Sequence, residues 1–229
     1  MPTLVWDKLD ERTYEMGVSK GVCYTDTVGE NGAVEQYAQA EVWNGLTAVT
    51  DSPEGAEPTK IYGSNIEYAM FRSLEQYKAT IEAFMYPDNF SECNGYKSLI
   101  AGGGLYAGQQ KRKRFGFTWR TEVGNGTVEA GDGTLYKIHI VYGATTSPSE
   151  TAHNTINESP DVEPMSWEMD TIPVAIEGGK PASKLIIESW KFTKTQMDAL
   201  EAVLYGGTGE NANARLPLPA EVATLLKTA

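Results

Sequence analysis

AEVWNGLTAVTDSPEGAEPTKIYGSNIEYAMFRSLEQYKATIEAFMYPDNFSE, residues 40–92, decides how the chain is read. In residues 78–86, Ala79, Ile81, Ala83 and Met85 fall on one face, and Thr80, Glu82, Phe84 and Tyr86 on the other. In residues 65–73, Ile66, Tyr68 and Met70 share a face opposite Glu67 and Ala69. Alternation with a period of two marks strands that bury one face. A further strand is expected over residues 41–49, with Asn44-Gly45 inside it as a hairpin or bulge signal. Between these runs, residues 51–58 carry Asp-Ser-Pro and Glu-Gly-Ala-Glu-Pro, both turn-forming. Pro53 and Pro58 have no N–H to give a ladder, so this loop is expected to leave the sheet. A long sheet with one polar face and an excursion suits a surface that meets other copies of itself.

Outward from this stretch the pattern stays β. Residues 17–24 predict a short strand after a short arm, with a turn at 28–32. Residues 115–123 place Phe115, Phe117, Trp119 and Thr121 on one face. Residues 135–143 place Tyr136, Ile138, Ile140 and Tyr142 opposite Lys137, His139 and Val141. Residues 163–174 turn Met165, Trp167 and Met169 inward, and residues 184–190 form the last strand. Residues 193–205 predict a helix: Thr193 and Gln196 make a capping box, Met197, Leu200 and Leu204 form a stripe, and Gly206 ends it. Residues 206–215 read as a polar linker and 219–227 as a short helix, a hook suited to gripping a neighbour. The expected architecture is mainly β: one domain over 1–229, with an N-terminal arm (1–16), a β-sandwich with a flanking helix (17–205) and a C-terminal arm (206–229).

The chain has 229 residues, enough for a large self-sufficient core. Its 31 acidic against 19 basic residues give a net charge of −12, the opposite of the basic footprint a DNA-binding protein needs. Such a chain can still line a passage through which DNA slides without sticking. No apolar run is long enough for a membrane helix, and the acidic N-terminus lacks the pattern of a secretory signal. Folding in the cytoplasm is therefore expected. There Cys23 and Cys93 stay as reduced thiols; a disulfide between them is the other reading.

Chemistry has little to stand on. His139, His153 and the two cysteines lack metal-ligand spacing. No nucleophile elbow, His-Glu-x-x-His or dinucleotide fingerprint occurs. The glycines of residues 100–108 (IAGGGLYAG) lack the Gly-Lys-Ser/Thr ending of a phosphate loop and read as a plain loop. No enzyme activity and no cofactor are expected. The basic run Lys111, Arg112, Lys113, Arg114 reads as an intersubunit contact, as solvated charge or as a DNA contact.

The runs WNGLTAVTDSPEGAEPTKIY (43–62), ATIEAFMYPDNFSEC (79–93), FGFTWRTEVGN (115–125), YKIHIVYGATTSPSE (136–150) and MSWEMDTIPV (165–174) together resemble the major tail (tail tube) proteins of long non-contractile-tailed bacteriophages. The resemblance covers about residues 6–190 in order. It implies a β-sandwich with a flanking helix, and six copies closing into a ring whose inner wall is a continuous β-barrel. Rings stack on the tape measure protein, other tail proteins cap the tube ends, and the bore conducts the genome without specific binding. The implied place is the virion tail, assembled in the host cytoplasm without a membrane. That family has no catalytic residues, so none is carried over. Glu67 and Glu82 are the candidates to face the passage. Asp51, Pro53, Glu54, Glu57 and Pro58, with Lys111, Arg112, Lys113 and Arg114, are the candidate intersubunit contacts. The alternative is a carbohydrate- or receptor-binding β-sandwich module of a phage particle, using some of the five Trp and twelve Tyr.

Overall fold

A computed structural model describes residues 4, 6–8, 11–28, 34–55, 57–100, 103–125, 127–153, 155, 162–207 and 213–228. Residues 29–32 of the turn expected at 28–32, the middle of the polar linker and six residues of the N-terminal arm lie outside these residues. In chain order the strands are β1 (Tyr14–Val28), β2 (Val34–Val42), β3 (Leu46–Asp51), β4 (Pro58–Gly63), β5 (Ile66–Arg72), β6 (Lys78–Ala83), β7 (Lys97–Ser98), β8 (Tyr106–Ala107), β9 (Phe115–Gly124), β10 (Tyr136–Thr146), β11 (Met165–Thr171) and β12 (Lys184–Glu188). Helix α1 (Phe90–Cys93) precedes β7, and α2 (Lys194–Tyr205) and α3 (Pro219–Thr228) close the chain. Among the described residues no helix is long and apolar enough to cross a membrane.

Eight strands form one antiparallel sheet in the order β2-β1-β9-β10-β11-β6-β3, with β12 branching from β10. The two layers expected of a sandwich are thus limbs of one sheet folded over itself. Phe115, Phe117 and Trp119 of β9 and Val141 of β10 pack against Ala79, Ile81 and Ala83 of β6 and Trp167 and Met169 of β11. Trp43 sits at the centre of this core. Its ring lies 4.5 Å from Phe90, 5.4 Å from Phe117 and 5.6 Å from Trp167, and its indole N–H donates to the Met85 carbonyl at 2.8 Å. Edge-to-face contacts of this kind add to what burial alone contributes.

The other face of β1, β9 and β10 carries a second core. Tyr24, Ile138, Ile140 and Tyr142 pack with Met197, Leu200 and Leu204 of α2 and with Leu216 and Val222. The expected capping box of α2 is present: Thr193 accepts from the Gln196 N–H, and the Gln196 side chain bonds back to the Thr193 N–H. Tyr24 donates its hydroxyl to the Leu204 carbonyl at 2.7 Å, and Tyr142 donates to Pro217 at 2.8 Å. Both faces of β9 and β10 are therefore buried, which is why their apolar runs are nearly unbroken.

The structure corrects several expectations. Asn44-Gly45 does not make a hairpin: β2 pairs with β1 and β3 with β6, so this turn carries the chain between opposite ends of the sheet order. Trp43, buried in the core, fixes that crossing. The arm expected over 1–16 ends in strand, because Tyr14, Glu15 and Met16 already pair with β9. The second half of the segment expected to reach a neighbour packs on its own chain. The Leu216 N–H donates to the Tyr37 carbonyl at 3.1 Å, and α3 lies against α2. Leu216 and Val222 have enough apolar surface to be held by the uncovered face beside α2.

Candidate assembly surfaces

Beyond Asp51 the chain leaves the sheet and returns at Lys78. The neck is held by backbone bonds: the Ser52 N–H to the Lys78 carbonyl at 2.9 Å, and a reciprocal pair between Glu54 and Gln76 at 2.9 and 2.8 Å. Strands β4 and β5 then pair only with each other. Their turn is two residues, Ser64 and Asn65, both at positive φ (51° and 64°), the geometry of the tight hairpin turn. The alternation in residues 65–73 predicts a half-buried strand. Instead Ile66, Tyr68, Met70 and Phe71 are exposed, and so are Ile61, Tyr62 and Leu74. Tyr68 at 79% and Leu74 at 86% make little contact with the rest of the chain. A shift in register between Ile61 and Tyr62 leaves Tyr68 without a ladder partner. Pairing then puts Ile61, Ile66, Ala69 and Phe71 on one face, and Lys60, Tyr62, Glu67, Met70 and Arg72 on the other. The strand expected here is present, but the bulge at Tyr68 breaks the expected alternation: Ile66 faces with Ala69, and Met70 with Glu67.

The second surface is the outer face of β11, β6 and β3. Across the ladders Ser166, Glu82 and Ala48 align, as do Glu168, Thr80 and Thr50, and Asp170 beside Lys78. Lys78 bridges Asp170 at 3.1 Å and Glu54 at 2.9 Å. Among the described residues, the carboxylates of Glu54, Glu82, Glu168 and Asp170 thus outnumber the Lys78 ammonium on this face. Strand β3 ends the sheet order, with a ladder partner on one side only. At the far end of β6 from the hairpin neck, Phe84 and Met85 are exposed, Met85 at 65%. It had been expected inward, but β6 stops at Ala83 and the alternation stops with it.

The candidate residues separate on these surfaces. Glu82 lies half-buried on the outer face of β6, whereas Glu67 lies on the projecting hairpin, paired with Lys60 at 2.8 Å. The structure does not bring the two together on one wall. Asp51 accepts from the Tyr77 hydroxyl at 2.5 Å and pairs with Lys184, so it ties β3 to β12 within the chain. Pro53, Glu54, Glu57 and Pro58 are exposed along the neck. The basic run is no free loop tip. Arg112 donates to Asn94 at 3.2 Å and to Thr146 at 2.9 Å, and Lys113 pairs with Glu92. Arg114 is half-buried and Lys111 exposed.

Two polar clusters escaped the sequence reading, because their members are far apart in the chain. A groove of about 600 Å³ lies beside α1, lined by Gln39, Asp88, Asn89, Glu92, Leu99 and Tyr106. At the other cluster His139 stacks on Trp119 with ring centres 4.8 Å apart, and its Nε2 lies 2.9 Å from the Thr121 hydroxyl and 3.3 Å from Glu15. Burial, reinforced by repulsion from Lys184, pushes the His139 imidazole down to about 4. Burial raises the Glu15 carboxyl, but hydrogen bonds from Lys137 and Thr121 outweigh it and hold the group below its usual value. No protein-family model matches the chain, and no curated protein matches it.

Proposed function

We propose that the chain is a structural subunit of a bacteriophage tail tube, acting by assembly with copies of itself. The observation that carries this reading is the β4–β5 hairpin. A two-stranded ribbon is at best marginal in water, and this one exposes apolar residues on both faces. Its neck leaves β6 at Lys78, while the exposed Phe84 and Met85 follow Ala83 at the opposite end of the same strand. Two different sticky surfaces at opposite ends give a head-to-tail contact, which builds rings or filaments rather than closed pairs. Six copies would close a ring, and rings would stack around the tape measure protein, with other tail proteins at the ends. The acidic face of β11, β6 and β3 would line the bore, so that phosphates pass without adhering. The resemblance of five sequence runs to tail tube proteins, read from the residues alone, supports the same proposal, under which the protein belongs to the virion tail.

The test replaces residues 58–72 by a short Gly-Ser turn. The expected result is loss of rings and tubes in sedimentation, with the thermal midpoint of the subunit kept, since both cores lie elsewhere. Unimpaired tubes would contradict the role given to the hairpin. The groove beside α1, with Asp88, Asn89 and Tyr106 in its lining, favours the second reading, a carbohydrate- or receptor-binding module. Glycan binding by a protein that stays monomeric would select it.

A further inference from the structure

The chain has two cysteines, Cys23 and Cys93, and both are free and buried. Cys23 lies on β1 and Cys93 ends α1; both are fully buried in the same aromatic core. Asn89 links them: its side-chain amide donates to the Cys23 carbonyl at 3.2 Å, and the Cys93 thiol reaches the Asn89 carbonyl at 4.0 Å. Helix α1 packs directly on β1, so the two thiols enter one core from adjoining elements. From these contacts we infer that Cys23 and Cys93 form a latent modification site, an intramolecular disulfide that closes when the folded chain meets a disulfide oxidant such as oxidised glutathione.

The chemistry balances as two exchanges. A short opening of α1, one turn long, frees Cys93, whose thiolate attacks one sulfur of oxidised glutathione and expels a glutathione thiolate. As α1 closes, the Cys23 thiolate attacks the Cys93 sulfur and expels the second glutathione. The cysteines lose two protons and two electrons, and the oxidant becomes two glutathione thiols. Burial pushes the Cys23 thiol well up, so the reaction waits on the opening and the pair stays reduced through folding in a reducing compartment. The closed loop encloses β2, β3, the β4–β5 hairpin and β6. The bond would therefore tie α1 to β1 within one chain, closing the loop that carries the hairpin.

The experiment refolds the chain from urea in mixed reduced and oxidised glutathione, poised so that the urea-unfolded chain keeps both thiols. Acid quenching, maleimide labelling and intact mass count the free thiols. The expected result is a folded chain lighter by two hydrogens that takes up no maleimide. Its disulfide-to-dithiol ratio should exceed that of the unfolded chain roughly 10³-fold, the scale set by pre-closing a loop of this length. Its thermal midpoint should be higher than that of the reduced protein, and C93S should lose that rise. Two maleimides on the folded chain, a persistent single glutathione adduct, or an oxidised chain lacking the native near-ultraviolet signal would each overturn the assignment.

Discussion

Gly143 stands where β10 exchanges partners, pairing with β12 before it and with β11 after it. Its φ is +63°, and a Cβ there would sit 2.4 Å from the Ile172 carbonyl oxygen. Backbone cannot swing aside as a side chain can, so G143A should cost about 2 kcal/mol or more, read by urea unfolding. A near-neutral result would mean that β10 does not branch there. His139 gives the pH dependence. The folded protein keeps the imidazole neutral down to about 4, whereas the unfolded chain protonates near 6.5. Between these values the unfolded state binds more protons, so stability is complete above pH ~6.5 and falls as the pH drops toward 4. The loss attributable to this group is about 3 kcal/mol. Glu15, held low in the folded state, adds a second loss at more acidic pH. H139F, which keeps the stacking on Trp119, should flatten the slope between pH 6.5 and 4. An unchanged slope would assign it to other groups.

The elements divide by how their surroundings were encoded. Strands β9, β10 and β11 and helix α2 were legible because each carries its own partner pattern, as Phe115, Phe117 and Trp119 do for β9. The hairpin was half legible. Alternation announced the second strand, and Pro53 with Pro58 the excursion, but nothing announced β4, and Tyr68 and Met70 look the same whether a core or a neighbouring molecule covers them. The crossing at Trp43 and the return of Leu216 to Tyr37 were illegible, since both depend on pairings between distant segments. The hairpin neck yields a sharper prediction. Gly55 has φ +89°, and a Cβ there would meet the Leu74 carbonyl oxygen at 2.4 Å. G55A should reorient the hairpin and reduce assembly several-fold by sedimentation, while changing subunit stability by less than about 1 kcal/mol, because few buried contacts cross the neck. Equal assembly by the variant would detach the hairpin's pose from tube formation.

At the scale of the whole molecule, composition announced an acidic protein, and the fold gathers part of that charge on one sheet face. Glu82 was legible as a candidate; Glu168 and Asp170 joined it on one face only through the pairing of β6 with β11. Glu67 had the same sequence signature and belongs to the hairpin instead. E82K combined with E168K should leave tubes intact and slow DNA ejection from assembled particles at low salt, the condition where charge acts over the longest range. Ejection at the parental rate would remove these residues from the passage. Electron microscopy of the purified, concentrated protein tests the central claim most directly. The account predicts hollow tubes or stacked six-fold rings with the hairpin buried between copies. Single particles of one chain at every concentration, with the hairpin still bare, would contradict it.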